Sequence, residues 1–311
     1  MKTKWLAWMK KAFIYLIVVF AVTTITFFLM HSIEGDPFSA SIERMDPAAR
    51  ELYSETYGLN KPLVVQYGIF IRNIVKERDL GTSLINRTTT VNDVLKNSLI
   101  PSLILGVISV VGGTLLGCAF GTAAAYTKKY YVRRMISVIC IVFISIPVFV
   151  WAPWLQSFFS FKLKIFPISG WGGIEYIILP VLCMIPNTVA TTMKYTRNSI
   201  ESIRKSNFYL AVKQRGFSEG YIFRKHIIKN AVPSIITVLV SSLSGIISGT
   251  FIVEKIFSIP GMGREFMFAI NMRDYPMIIG LNLLFTIVYL ICRFIGDLIQ
   301  GLCNPLFAEK N

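Results

Sequence analysis

Six stretches of the chain are long and apolar enough to cross a bilayer, at about 12–30, 99–126, 135–159, 174–193, 232–254 and 276–300. Inside hydrocarbon every backbone N–H and C=O must find a partner within its own segment or a neighbouring one, which restricts such stretches to helices. Only 16% of the 311 residues are charged and the mean hydropathy is +0.58, too apolar for a soluble domain of this length. The sequence therefore specifies an all-α integral membrane protein with six transmembrane helices.

A net charge of +15 would suit a nucleic-acid binder, but its distribution says otherwise. Seventeen Lys and Arg fall in three clusters: Lys2, Lys4, Lys10 and Lys11; Lys128, Lys129, Arg133 and Arg134; and nine between Lys194 and Lys229. The only acids among them are Glu201 and Glu219. Flanks of transmembrane helices with this bias lie on the cytosolic side. Six spans starting inside put both termini and all three clusters there, so the excess charge reflects topology and membrane lipid, with no nucleic-acid partner. The first span is long for a secretory signal, and Met30-His31-Ser32-Ile33-Glu34 offers no small-residue cleavage site, so it is expected to stay as an anchor.

Residues 31–97 carry eight bases and nine acids, and this length is freed from the positive-inside rule. They are expected to form a small external domain. None of the five cysteines (Cys118, Cys140, Cys183, Cys292, Cys303) lies in it, so no intrachain disulfide staples it, and the cysteines are read as structural.

Between the fourth and fifth spans, Ser206 to Pro233 is too polar to span and too patterned to be a plain loop. It predicts two short helices: Phe208, Tyr209 and Val212 recur at helical spacing, Gly216 suits the positive φ of a helix end, and Ser218-Glu219 supplies a cap and a first-turn acid. Pro233 is expected to open the next span. A basic, partly apolar element of this kind fits a groove on a partner protein, with Lys213, Arg215, Arg224 and Lys225 as a polar rim; a helix lying on anionic lipid is the alternative.

This segment resembles the coupling loop of ATP-binding-cassette importer permeases, and motifs along nearly the whole chain resemble the first permease subunit of dipeptide, oligopeptide and nickel uptake systems. They are Glu34-Gly35-Asp36-Pro37, Tyr57-Gly58-Leu59-Asn60-Lys61-Pro62 with Gln66-Tyr67, Asp79-Leu80-Gly81-Thr82-Ser83, Phe166-Pro167-Ile168-Ser169-Gly170, Val253-Glu254, Phe257-Ser258-Ile259-Pro260-Gly261-Met262-Gly263, Arg273-Asp274-Tyr275-Pro276 and Asn304-Pro305. Two positions depart from the family pattern. Leu210-Ala211-Val212 stands where the loop's Glu-Ala-Ala is usual, and Asn304-Pro305 where Asp-Pro-Arg is usual.

The resemblance implies a type I importer permease fold in a bacterial cytoplasmic membrane, with cytosolic termini. The organisation expected is 1–30 as N-terminal segment and first helix, 31–97 external, 98–305 as a five-helix core with a coupling segment at 196–231, and 306–311 as a cytosolic tail. The implied partners are a second homologous permease, two cytosolic ATPases and an external solute-binding lipoprotein or periplasmic protein. ATP and Mg belong to the ATPases, and this chain binds no cofactor or metal and catalyses nothing. Its coupling residues would be Phe208, Tyr209, Ala211, Val212, Arg215, Gly216, Glu219, Ile222, His226 and Asn230. Glu254, Pro260, Gly261 and Asp274 are candidates for an external gate or binding-protein dock. Oligopeptides are the first cargo expected, and dipeptides or nickel chelates the second.

Small residues recur every fourth position at Gly113, Gly117 and Gly121, and at Ser241, Gly245 and Gly249, the spacing that lets helix backbones approach in lipid. Pro147, Pro153, Pro180 and Pro186 interrupt the third and fourth spans and free backbone groups that can line a cavity, which is not by itself a binding site. Arg293 and Asp297 stand one turn apart in the last span and can pair. A secondary transporter or channel would also be polytopic but would not require the structured segment. A membrane enzyme would need converging catalytic groups, and the chain has only His31 and His226, no HExxH and no GxxxxGK[ST] phosphate loop.

Overall fold

In a computed structural model, residues 2–32, 60–86 and 88–303 are described, together with 47, 51, 55 and 58. The Glu34–Pro37 motif, most of 33–59, Asn304-Pro305 and the 306–311 tail lie outside the described residues. The described chain is helical apart from its turns and one isolated Thr82–Thr90 bridge. The helices are α1 (Lys2–Ser32), α2 (Leu63–Arg72), α3 (Val91–Tyr126), α4 (Tyr130–Ser145), α5 (Val148–Leu155), α6 (Glu175–Arg204), α7 (Asn207–Gln214), α8 (Glu219–Ile222), α9 (Ile228–Ser244), α10 (Ile246–Ile256), α11 (Met262–Met272) and α12 (Tyr275–Cys303). Wider π-helical turns follow α2, α5 and α8.

Five helical runs among the described residues are long and apolar enough to cross a membrane, and a sixth forms if α4 and α5 count as one broken span. That third span, expected over 135–159 with interruptions at Pro147 and Pro153, bends by 97°. Ile146 is extended (φ −93°, ψ 114°) ahead of Pro147, the conformation that the proline ring imposes on the residue before it. The fifth span also differs. It is two helices joined at Gly245, and its first part runs back without interruption through the π turn Phe223–Ile227 to Glu219. Pro233 therefore lies inside a helix and does not open one. Residues 91–97, assigned to the external piece, are the first turns of α3, where Thr90 Oγ1 accepts from the Asp93 N–H and donates to its carboxylate.

The chain divides into two units. In the first, residues 1–101 with 260–288, α1 meets α2 through an aromatic seam: Phe27 lies 5.3 Å from both the Tyr67 and Phe70 rings, and the Thr24 and Tyr67 hydroxyls are 2.6 Å apart. Asn282 on α12 donates to Thr26 on α1 at 2.5 Å.

The second unit, residues 102–259 with 289–311, is built around α6. The α3 glycines are buried against it: a Cβ at Gly113 would lie 2.7 Å from Thr188 Cβ, at Gly117 2.6 Å from Thr192 Cβ, and at Gly121 2.7 Å from the Met193 carbonyl. Ala124, Cys140, Ala190 and Met193 close the α4 side, while α5 and α10 share a core of Leu155, Leu179, Val253 and Phe257. Arg293 Nε stands 3.6 Å from Asp297 on α12.

Candidate functional site

The segment after α6 forms because each of its short helices is capped by a serine. Ser206 Oγ accepts from the Tyr209 N–H, and Ser218 Oγ from the Tyr221 N–H. The second cap was legible in the sequence; the first, in the equally plain Ser206-Asn207 pair, was overlooked. Between the helices Gly216 takes φ +79° with nothing within 4 Å of where a Cβ would stand, so the position needs glycine for its backbone and not for space.

Helical spacing sorts α7 into two faces. Tyr209 and Val212 are buried with Ile200, Ile222 and Ile227 in one apolar cluster, packed on the end of α6. Phe208, Ala211 and Arg215 are exposed on the other face. Tyr209, Val212 and Ile222 thus hold the segment to its own chain, while Phe208 stays exposed. The Tyr209 hydroxyl donates to both Glu219 oxygens at 2.9 and 3.1 Å, and Lys213 Nζ lies 3.2 Å from the same carboxylate, so the two helices are tied across the Gly216 break. Arg204 braces the base, donating to the Ala125 carbonyl at 3.0 Å and lying over the Tyr126 ring at 4.8 Å.

The outward surface is aromatic. Phe208 and Tyr221 both contact the His226 ring, at 5.5 and 6.0 Å, and Phe217 stacks on Tyr221 at 4.8 Å. Asn230 Nδ2 donates to the His226 carbonyl at 2.8 Å beyond the π turn. Lys213, Arg215, Arg224 and Lys225 are exposed on the same segment, and Lys225 Nζ lies 5.3 Å from the centre of the Tyr221 ring.

The four gate candidates fall in both units, Glu254 in the second and Pro260, Gly261 and Asp274 in the first. Glu254 is fully buried and accepts from Ser102 Oγ at 2.7 Å. Asp274 is also buried: it accepts from the Ser83 hydroxyl, from the Leu84 N–H at 3.2 Å and from the Met277 N–H at 3.5 Å, capping α12 and pinning the 83–84 turn. Two carboxylates held this way are internal braces, a reading that the sequence position alone did not give. Pro260 is exposed, while Gly261 is buried at the N-cap of α11. Gly245 is exposed at the α9–α10 joint, with only its own helix's carbonyls nearby, unlike the α3 glycines. Gly249 is in α10, and its surroundings lie outside the described residues.

Residues 113–309 match the family of binding-protein-dependent transport system inner membrane components, and residues 6–90 match the N-terminal region of the same kind of membrane component. The dipeptide transport system permease protein DppB of Bacillus subtilis (strain 168) is 32% identical over 287 residues, 92% of each chain. The oligopeptide transport system permease protein OppB of Haemophilus influenzae is 30% identical over 289 residues, 92% of this chain and 94% of the relative. Among solved structures, an inward-facing MetNI methionine ABC transporter superposes with a TM-score of 0.57 at 18% identity, covering 68% of this chain and 96% of that one, a likeness of fold. By the sequence matches over 6–90 and 113–309 and over 92% of its length with the Bacillus subtilis relative, this chain belongs to the family of inner membrane components of binding-protein-dependent transport systems.

Proposed function

We propose that the chain is the membrane-spanning subunit of an ATP-driven importer of short peptides. The observation that carries this is the match, over 92% of this chain in each case, to two permeases whose names specify dipeptide and oligopeptide transport. Oligopeptides remain the first cargo expected from sequence, and the Bacillus subtilis relative favours dipeptides as the second reading.

In this reading a second homologous permease completes the pathway, and an external solute-binding protein delivers the peptide. Two cytosolic ATPases carry the ATP and Mg, and this chain binds no cofactor of its own. The face around Phe208, His226 and Tyr221 receives an ATPase. The 17-to-2 excess of bases over acids supports a cytosolic location for this face and for both termini. Closure of the ATPase pair on ATP then biases the helices between inward- and outward-open arrangements, which couples hydrolysis to transport.

The test is uptake by the complete complex in proteoliposomes. Labelled di- and oligopeptides should accumulate only with ATP inside the ATPase compartment and binding protein on the other side. Equal accumulation without ATP or without the ATPases would make the protein a channel or secondary transporter instead.

A further inference from the structure

A cleft of about 650 Å³ lies within the second unit, in the size range of small-ligand sites. Three helix irregularities meet at it: the Ile146–Pro147 bend, the Gly245 joint and Pro186 of α6. Polar residues from two neighbouring helices line it: Asn187, Thr191 and Tyr195, every fourth residue on α6, and Thr237 and Ser241, four apart on α9. No Asp, Glu, Lys or Arg is in the lining.

The α6 row is separate from that helix's contact with α3. The packing face of α6 toward α3 is a different one, carried by Thr188, Thr192 and Thr196 against the glycines. Thr237 and Ser241 hydroxyls donate to carbonyls of their own helix, at 3.0 and 2.9 Å, which leaves each oxygen able to accept. Asn187, exposed in the cleft, offers a donor and an acceptor and makes no hydrogen bond with another described residue. Polar side chains facing a cavity within lipid-crossing helices are retained where something polar passes them.

We infer that this cleft is where cargo touches this subunit, and that Asn187, Thr191 and Ser241 hydrogen-bond the main-chain amides of a peptide in transit. The inference rests on the peptide-import reading above. Amide and hydroxyl groups match the N–H and C=O that every peptide carries, and a lining without charge neither selects nor traps charged side chains, so the wall is permissive by chemistry.

The test introduces a charge and reads selectivity. In the complete reconstituted complex, import of a cationic and an anionic peptide is measured for Asn187→Asp and Asn187→Lys, and the ratio is divided by the wild-type ratio, which cancels the preference of the binding protein. Asn187→Asp should raise the ratio about tenfold and Asn187→Lys lower it about tenfold, as expected for one charge pair in a partly dry site. Ser241→Asp and Ser241→Lys, on the neighbouring helix of the lining, read the same quantity should a charge at 187 prevent assembly. A wild-type complex that imports both peptides, with variants whose ratio stays at one at both positions, overturns the inference alone. A wild-type complex that imports neither peptide overturns the peptide reading and this inference with it.

Discussion

Replacing Gly117 by alanine tests whether α3 and α6 are held by close backbone approach. The new Cβ would lie 2.6 Å from Thr192 Cβ, 2.7 Å from the Val189 carbonyl oxygen and 3.1 Å from the Met193 nitrogen. Two of the three are backbone atoms and cannot rotate away. Since carbon atoms sit comfortably at about 3.5–4.0 Å, the helices must part by roughly 1 Å at this crossing, and a gap of that size forfeits about a quarter to a half of each dispersion contact. With some twenty atom pairs across the crossing at about 0.15 kcal/mol each, the loss is about 0.8–1.5 kcal/mol, at the low end of the ~1–3 kcal/mol seen for overpacked cores. Alanine recovers up to about 1 kcal/mol of helix propensity, so a matched control is needed. Gly220 in α8 supplies it, because nothing lies within 4 Å of its Cβ position. Unfolding of the purified protein in mixed micelles should show Gly220→Ala at or above wild-type stability and Gly117→Ala below Gly220→Ala by about 1–2 kcal/mol. A Gly113→Ala/Gly117→Ala double variant should cost little more than Gly117→Ala alone, since one separation relieves both clashes. Equal midpoints for Gly117→Ala and Gly220→Ala would refute the argument.

Asp274→Ala removes the acceptor for the buried Ser83 hydroxyl and Leu84 N–H and should lower stability by about 2–3 kcal/mol in the same assay; wild-type stability with a selective loss of binding-protein-stimulated hydrolysis would restore it as a docking residue. Gly216→Val imposes about 1–2 kcal/mol of left-handed strain on the segment outside the core, so it should pair with its partner permease normally while losing ATPase association. Gly216→Asn, which tolerates that conformation, should stay close to wild type, and a Gly216→Val complex that co-purifies with ATPases at wild-type yield would remove the segment's coupling role. In a cysteine-free background, Lys76→Cys should react with an impermeant maleimide added outside and Gln214→Cys should not, and the opposite pattern would invert the proposed orientation.

Hydropathy reported where the chain is apolar but not which way it runs. Pro147 and Pro153 marked 135–159 as interrupted, but its apolar residues read the same straight or bent, and it is Ile146's extended backbone that makes the turn. Prolines did not decide the matter locally either: Pro147 ends a helix, whereas Pro180 and Pro186 sit inside an unbroken α6, where packing on both sides holds the helix through them. The coupling segment was legible because caps and a positive-φ glycine are local signals. Which of its apolar residues face inward was not, because Tyr209 and Val212 are claimed by Ile200 of α6 and Ile227 of the π turn, contacts that the segment's own spacing cannot specify. Glu254 and Asp274 were read as candidates for an external gate or dock, and their burial was not legible for the same reason: their partners, Ser102 and Ser83, are 152 and 191 residues away in sequence.

The π turn at Phe223–Ile227 joins α8 to α9 with no intervening coil, so twenty-six consecutive residues from Glu219 to Ser244 form a single rod. At 1.5 Å per residue its length is about 39 Å, and a tilt of 10° imposed at the Glu219 end would sweep the far end through about 7 Å. That far end is Gly245, at the rim of the cleft. The arrangement is a lever: a small rotation at the Glu219 end becomes a side-chain-sized displacement at the other, less whatever the π turn and Pro233 absorb by bending.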